Sequence, residues 1–146
     1  MDIEFRDERP KAHEYRALRH LADWGDISEA TATRALASTA ISLCVRHQTD
    51  LVGLGRVVGD GVLYFHVSDV FVHPAARGTG VGDEILRRLL SRIHAMADPG
   101  ATVSVLAAPG REPFYAKAGF TACPNAVFGH GMAYLEPIER LTPNRP

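Results

Sequence analysis

The chain has 146 residues, of which 46% are hydrophobic and 23% charged, and its formal net charge is −1 at pH 7. This length and composition predict one globular domain, residues 1–146, with a hydrophobic core of its own. The near-neutral charge argues against a nucleic-acid partner, and no apolar run approaches the roughly 20 residues that span a bilayer.

The amino-terminal residues, the cysteines and the histidines indicate a cellular compartment and bear on whether the chain binds a metal. Residues Met1 to Phe5 are too polar and acidic for a secretory signal, which predicts a cytoplasmic location. Cys44 and Cys123 lie far apart, and no two histidines are spaced as H-x-x-x-H. We therefore expect two free thiols in a reducing compartment and no metal site.

Hydrophobic periodicity predicts strands and helices along the whole chain. The predicted elements are, in order, a strand at 3–6, helices at 11–24 and 28–38, strands at 41–45, 51–58 and 62–72, a helix at 81–96, a strand at 102–106, a helix at 110–117, and strands at 120–122 and 132–135. The helix at 81–96 is the best defined, because its apolar residues fall on one face. This order predicts an α/β fold with a mixed, mostly antiparallel central sheet flanked by helices.

A glycine-rich turn is the most informative feature of the chain. It reads Arg77-Gly78-Thr79-Gly80-Val81-Gly82 and lies between the apolar strand end Val70-Phe71-Val72 and the predicted helix at 81–96. Glycines let a ligand approach the backbone closely. The helix that follows directs unpaired N–H groups and the positive end of its dipole at the same place. The turn therefore predicts an anion cradle, most often one for phosphate.

Two motifs carry a resemblance to a known family. Arg77, Gly80 and Gly82 match the acetyl-CoA signature of the GCN5-related N-acetyltransferase (GNAT) superfamily, which is Arg or Gln, two residues, Gly, one residue, then Gly or Ala. The segment from Phe114 to Phe120 is similar to that superfamily's F-Y-x-x-x-G-F segment. The predicted element order also coincides with its fold. A narrower likeness, at 55–61 and 69–72, is to small bacterial members and to plant serotonin N-acetyltransferase-like enzymes.

The resemblance implies an acetyl-CoA site with the pyrophosphate on the backbone of residues Gly78, Thr79, Gly80, Val81 and Gly82. It implies that the backbone around Val70, Phe71 and Val72 pairs with the pantetheine arm. It further implies a bulge in the long strand and splayed central strands near residues 103–106, so that the thioester lies in a wedge between them. Arg77 would reach a phosphate, or is an ordinary surface arginine beside a turn.

The resemblance also implies catalytic residues. Tyr115 occupies the place of the tyrosine that protonates the CoA thiolate, although a core aromatic beside Phe114 is the simpler reading. Asp69 is a candidate base inside an apolar strand, or a carboxylate that bonds loop N–H groups. Ser68 stands where family members often carry a glutamate base. A water relay, His130, or an amine that is already neutral when bound are the other sources of deprotonation.

The resemblance implies the chemical class of the amine that accepts the acetyl group, and not its identity. Trp24 and the loop after the first helix would line the acceptor pocket, or Trp24 fills the core between the helices. We expect transfer to a small-molecule primary amine by direct attack in a ternary complex, because neither cysteine lies at the expected thioester site. A protein or peptide amine and a non-catalytic acyl-CoA-binding module are the alternatives, and a homodimer is left open.

Overall fold

A computed structural model of the chain describes residues 1–136 and 138. The remaining residues of the predicted domain, 137 and 139–146, lie outside the described part. The elements are β1 (Glu4–Arg6), α1 (Ala12–Leu21), α2 (Glu29–Ala37), β2 (Ile41–His47), β3 (Asp50–Gly59), β4 (Tyr64–Val72), a 3-10 turn (Pro74–Ala76), α3 (Val81–Met96), β5 (Thr102–Val105) and α4 (Glu112–Lys117).

The five strands form one open sheet in the order β1-β2-β3-β4-β5. The β1–β2, β2–β3 and β3–β4 pairs are antiparallel, and β4–β5 is parallel because α3 crosses between these two strands. Helices α1 and α2 pack on one face of the sheet and α3 on the other. The predicted α/β class with a mostly antiparallel sheet between helices is confirmed.

Helix α3 covers one face because its apolar residues recur at helical spacing. The buried residues of this apolar face are Val81, Ile85, Leu86, Leu89 and Ile93. Each buried side chain of this size contributes about 1.5–3 kcal/mol. A Cβ on Gly55 of β3 would stand 2.6 Å from Ile85 Cγ2, so glycine there lets the helix lie close to the sheet.

Helices α1 and α2 form the second layer. Ser28 caps α2 by accepting a hydrogen bond from the N–H of Thr31. Tyr15 and Leu18 of α1 pack with Leu36 of α2 against the sheet in a second core. Cys44 lies buried in that core while Cys123 is exposed, and both thiols are free, as expected.

The predicted strands at 120–122 and 132–135 are wrong, because both segments are irregular in the structure. At the end of α4, Gly119 adopts a φ of 103° and the N–H of Phe120 donates to the carbonyl of Tyr115. This Schellman-type ending uses the backbone group that a strand would pair. Asn125 then accepts from the N–H groups of Val127 and Phe128, which turns the chain again. Local turns therefore override the apolar alternation.

No helix among the described residues combines the length and the apolarity needed to cross a membrane. Within that same part of the chain, no group of three or more His, Cys, Asp or Glu side chains is placed to hold a metal ion.

Candidate functional site

A β-bulge at Ser68 interrupts the long strand β4. Val57 of β3 lies opposite Val67, and the next residue of β3, Arg56, lies opposite Asp69. Ser68 is therefore the extra residue on the bulged strand. Its hydroxyl donates a 3.0 Å hydrogen bond to the carbonyl oxygen of Arg56. A bulge increases the local twist and redirects the groups that follow it.

The bulge changes which side chains face each layer. Before it, Phe65 and Val67 pack on the α3 side of the sheet. After it, Val70 and Val72 pack on that side, whereas Phe71 joins the core under α1 and α2. Strand alternation alone would keep odd-numbered residues on one face throughout. The extra residue reverses the parity.

The same bulge decides which backbone groups point away from β3. The N–H of His73 donates to the carbonyl of Val52 at 2.8 Å, so His73 faces β3. In an antiparallel pair the backbone groups of alternate residues face the same neighbour. Phe71 therefore also faces β3, while the backbone groups of Val70 and Val72 point toward the opposite edge of β4.

That opposite edge opens into a wedge. The parallel pairing of β4 with β5 ends at Val67 and Val105, although β4 continues to Val72. Beyond this point β5 has ended, so among the described residues the edge of β4 from Ser68 to Val72 has no strand partner on this side, and this open edge is the wedge. One pair before the end of this pairing, His66 Nδ1 lies 3.0 Å from Ser104 Oγ and links the two strands.

The glycine turn lies at the end of the wedge. Gly78 and Gly80 have φ values of 78° and 81°, in the left-handed region that glycine tolerates best. Gly80 is the N-cap of α3, and a Cβ on either glycine would have no neighbouring atom within 4 Å. Space in front of the backbone is thus open. The Thr79 hydroxyl donates to the carbonyl of Ala76 at 2.8 Å and so braces the turn.

Arg77 connects this turn to β4. Its Nε donates a 3.0 Å hydrogen bond to the carbonyl oxygen of Val72. The acceptor is one of the backbone groups that point toward the open edge. The guanidinium therefore lies where the wedge meets the glycine turn, with its remaining N–H groups available for a ligand.

Helix α4 forms the other wall of the wedge. A Cβ on Gly82 would stand 3.5 Å from Phe114 Cε2 and 3.6 Å from Val72 Cγ2, so α4 lies beside the first turn of α3. Tyr115 packs edge-on between Phe114 and Phe120, with ring centroids 5.0 and 5.7 Å away. This aromatic row orients the phenol of Tyr115.

The surroundings of Tyr115 favour the protonated form of its hydroxyl. Burial raises the pKa of Tyr115 above its ordinary value, the charge of Arg111 opposes that shift, and the charge of Asp69 adds to it. The phenol has no hydrogen-bond partner among the described residues. It is therefore protonated at neutral pH, with its proton available to a ligand.

Asp69 is almost fully buried and doubly paired. Its Oδ2 accepts a 2.6 Å hydrogen bond from the hydroxyl of Tyr15 and a 2.7 Å ion-paired bond from Arg56 Nε. Both of these partners reach the carboxylate from the side of the sheet that α1 covers. The structure thus places Asp69 in an α1–sheet network, on the face opposite to Val70 and Val72.

The partners of Asp69 in that network, Tyr15 and Arg56, were missed by sequence reasoning. Arg56 sits in an apolar strand, which is a usable signal for a buried ion pair. Its partner was not readable, however, because the pairing of Arg56 with Asp69 depends on the bulge. Tyr15 carried no signal beyond its position on the apolar face of the first helix.

The predicted acceptor residues lie in three different segments of the structure. The ring of Trp24 lies edge-on to that of Phe71, with centroids 6.1 Å apart, at the border of the second core. Ser68 lies in the bulge. His130 is exposed in the irregular segment after α4, where the described chain offers it neither a hydrogen-bond partner nor an ion-pair partner. The structure does not bring His130 to the other site residues.

Comparison with known proteins agrees with this geometry. The model of the family described as "Acetyltransferase (GNAT) domain" matches residues 11–136. The chain is 32% identical to chloroplastic serotonin N-acetyltransferase 2 of Oryza sativa subsp. japonica over 62% of this chain and 43% of that protein. It spans about half the length of the curated relatives that it matches.

Solved structures share the fold. A GNAT family acetyltransferase from Streptococcus pneumoniae superimposes with a TM-score of 0.76 at 22% identity, covering 92% of this chain and 98% of that one. A GNAT family acetyltransferase from Brucella melitensis, solved in complex with acetyl-CoA, gives a TM-score of 0.60 at 23% identity, with 83% and 84% covered. The family model, which spans most of the chain, settles the assignment: this chain belongs to the GNAT acetyltransferase family.

Proposed function

We propose that residues 1–136, with the rest of the predicted 1–146 domain, form an acetyl-CoA-dependent N-acetyltransferase. The acetyl group passes to a primary amine of a small molecule by direct attack in a ternary complex. One observation carries the proposal: the edge of β4 that β5 leaves unpaired beyond Val67 runs toward the glycine turn at the start of α3, on the side of the sheet where Tyr115 packs.

The residues present fit the co-substrate. Gly78 and Gly80 leave open space before the backbone N–H groups at the start of α3, which suits a pyrophosphate. Arg77 adds a positive charge beside it. The outward backbone groups of Val70 and Val72 offer the pantetheine amides the pairing that a neighbouring strand would provide. The complex of the Brucella melitensis acetyltransferase with acetyl-CoA supports the same ligand here.

The proposed reaction uses one backbone hydrogen-bond donor and one side-chain acid. The N–H of Val70 donates to the carbonyl oxygen of the thioester as that oxygen gains negative charge, a contribution worth about 3 kcal/mol in other acyl-transfer enzymes. The amine nitrogen forms its bond to the carbonyl carbon while the carbon–sulfur bond breaks. Tyr115 gives its proton to the departing thiolate. Positioning of the two reactants supplies a further several kcal/mol.

Deprotonation of the amine is assigned to solvent. Asp69, the candidate base, has its Oδ2 engaged by both the Tyr15 hydroxyl and Arg56 Nε, on the α1 face of the sheet. We therefore propose that the amine reacts in its neutral form, either bound as such or after losing a proton to water, and that the proton its nitrogen loses after attack passes through water at the open wedge and restores the Tyr115 phenol. Ser68 offers a hydroxyl where a glutamate would act as a base, and that hydroxyl is engaged with the Arg56 carbonyl.

The acceptor class is an apolar or aromatic amine. Trp24 and Phe71 provide an aromatic border on the α1 side of β4, and Asp26 lies on the loop after Trp24. The name of the rice relative, a serotonin N-acetyltransferase, supports an arylalkylamine. His130 keeps its predicted place as an acceptor residue only if the segment after α4 approaches the wedge when an amine binds. A cytoplasmic setting and a homodimer are retained as part of the proposal.

The test is a thiol-release assay with acetyl-CoA and a panel of arylalkylamines, polyamines, amino acids and peptides, beside calorimetry with CoA. We expect binding of CoA and turnover with the aromatic amines. Preferential turnover of peptides would replace the small-molecule acceptor by a protein amine. Binding of acetyl-CoA without turnover of any amine would indicate an acyl-CoA-binding module, and no binding at all would remove the proposal.

A further inference from the structure

The buried cluster formed by Tyr15, Arg56 and Asp69 is not needed by the chemistry described above. Its Tyr15 packs in the core under α1 and α2, whereas the ring of Tyr115 packs against the core on the α3 side. The side chains of Arg56 and Asp69 are only 12% and 8% exposed. A buried ion pair is a weak source of stability, because removing two charges from water offsets most of their attraction. Stability alone therefore does not explain why the Arg56–Asp69 ion pair is buried at this place in the sheet.

Both strands at the bulge bond to the cluster, and Arg56 Nη1 also donates to Thr39 Oγ1 at 3.3 Å, away from the bulge. Arg56 is the β3 residue opposite the bulge, its carbonyl accepts from the Ser68 hydroxyl, and its Nε donates to Asp69, the residue after the bulge. Tyr15 then ties the Asp69 carboxylate to α1 at 2.6 Å. Arg56 Nη2 also reaches the Tyr15 hydroxyl at 3.3 Å, which closes a triangle of three side chains.

We propose that Tyr15, Arg56 and Asp69 are positioning residues that lock the β4 bulge in register and thereby aim the Val70 N–H at the acetyl group. The proposal rests on the proposed function and adds the residues that hold its backbone donor. A strand that slips by one residue exchanges its two faces. Without the extra residue at Ser68, Asp69 and Phe71 would present their backbone groups to the wedge instead of Val70 and Val72. An ion pair that forms in one register only would prevent this exchange.

A second ion-pair network on α1 provides a matched control. Glu14, the neighbour of Tyr15, accepts from Arg46 of β2 at 2.8 and 3.1 Å. This pair also ties α1 to the sheet and is also largely buried. Within the part of the chain that the structure describes, the hydrogen bonds and ion pairs of these two side chains involve no residue of β4. Glu14→Gln therefore weakens the same helix–sheet interface and leaves the bulge untouched.

The experiment compares Tyr15→Phe, Asp69→Asn and Glu14→Gln in the whole chain. Misplacing a catalytic donor by about 1 Å costs on the order of a hundredfold in rate. We expect Tyr15→Phe and Asp69→Asn to lower kcat by about ten- to a hundredfold while CoA affinity, set by the glycine turn, is unchanged. Glu14→Gln is expected to lower the melting temperature and keep kcat. Equal effects of all three variants on kcat per folded molecule would overturn the proposal.

The pH profile separates positioning from base catalysis. A positioning role predicts that Asp69→Asn lowers kcat at every pH and keeps the shape of the profile. It also predicts a loss in Tyr15→Phe, which removes no candidate base. Disappearance of the acidic limb in Asp69→Asn would instead make Asp69 the base and overturn the inference.

A measurement that needs no turnover tests the inference separately from the proposed function. In amide NMR, the Val70 N–H of the wild-type chain is expected to shift between the CoA and acetyl-CoA complexes, because only acetyl-CoA carries the carbonyl acceptor. Tyr15→Phe is expected to reduce that difference, and an undiminished difference would overturn the inference. If no amine is acetylated, the proposed function fails while this measurement still tests the bulge.

Discussion

The Arg77 guanidinium donates through Nε to the carbonyl oxygen of Val72 at 3.0 Å, which joins the glycine turn to the last residue of β4. Arg77 is the one charged side chain predicted to bind the phosphates, and this bond places it against the backbone of the wedge. In the proposed site, Arg77 therefore has two means of acting on acetyl-CoA: through its charge, and through the shape of the strand end.

Replacement of Arg77 separates these two means. Arg77→Ala is expected to weaken CoA binding about tenfold, because a charge-assisted hydrogen bond contributes about 1.5–3 kcal/mol. With acetyl-pantetheine, which lacks the phosphates, the loss disappears if the charge acts on phosphate. Calorimetry with both ligands measures the difference. Arg87→Ala, at an exposed position paired with Glu84 on α3, is the control and is expected to bind CoA normally.

Glycine substitutions test the phosphate cradle. Gly80→Ala is expected to destabilise the fold by about 1–2 kcal/mol, because it forces alanine into the left-handed region, and to place a methyl group before the phosphate site. Gly100 has a φ of 90° and equally open space around a Cβ, so Gly100→Ala imposes the same strain elsewhere. Only Gly80→Ala is expected to weaken CoA binding in calorimetry. Equal CoA affinity in both variants would remove residues 78–82 from the phosphate site.

Tyr115→Phe tests the proposed acid. Losing a positioned acid costs about 10²–10⁴-fold in kcat, with acetyl-CoA affinity retained. The pKa of Tyr115 is raised from 10.0 by burial, so its protonated form persists through neutral pH. Activity that depends on this proton is lost only as the pH rises through the raised pKa.

The matched control is Tyr64→Phe at an exposed position of β4. It is expected to have the wild-type pH profile. An alkaline limb in Tyr115→Phe identical to that of the wild type would show that another group supplies the proton.

The two cysteines are expected to differ in reactivity. Burial raises the pKa of Cys44 to about 12, and its side chain is inaccessible. Cys123 is exposed. The thiolate is the reactive form, so a disulfide reagent should titrate one thiol in the native chain and both after denaturation. Cys123→Ser is expected to abolish the native reaction, and rapid labelling in that variant would contradict the burial of Cys44.

Much of the architecture was readable because it depends on local pattern. The apolar stripe of α3, the turn before β4 and the glycine turn each lie within a short stretch of chain. The strand begins at Tyr64 instead of residue 62, because the Asp60 carboxylate accepts from three successive N–H groups in the turn. That difference is small. At 120–135, by contrast, the apolar alternation predicted strands, and turns at Gly119 and Asn125 replaced them.

The sequence by itself determined the fold class, the glycine turn at the start of α3 and the family motifs, because these follow from spacings of a few residues. Only the tertiary structure decided the partner of Asp69. An uninterrupted register from the Val57–Val67 pair would place Ser68 opposite Arg56, and the bulge places Asp69 there instead. One unpaired residue thus reverses both faces of the strand, and no periodic pattern reveals it, because bulge formation depends on contacts between residues far apart in the chain.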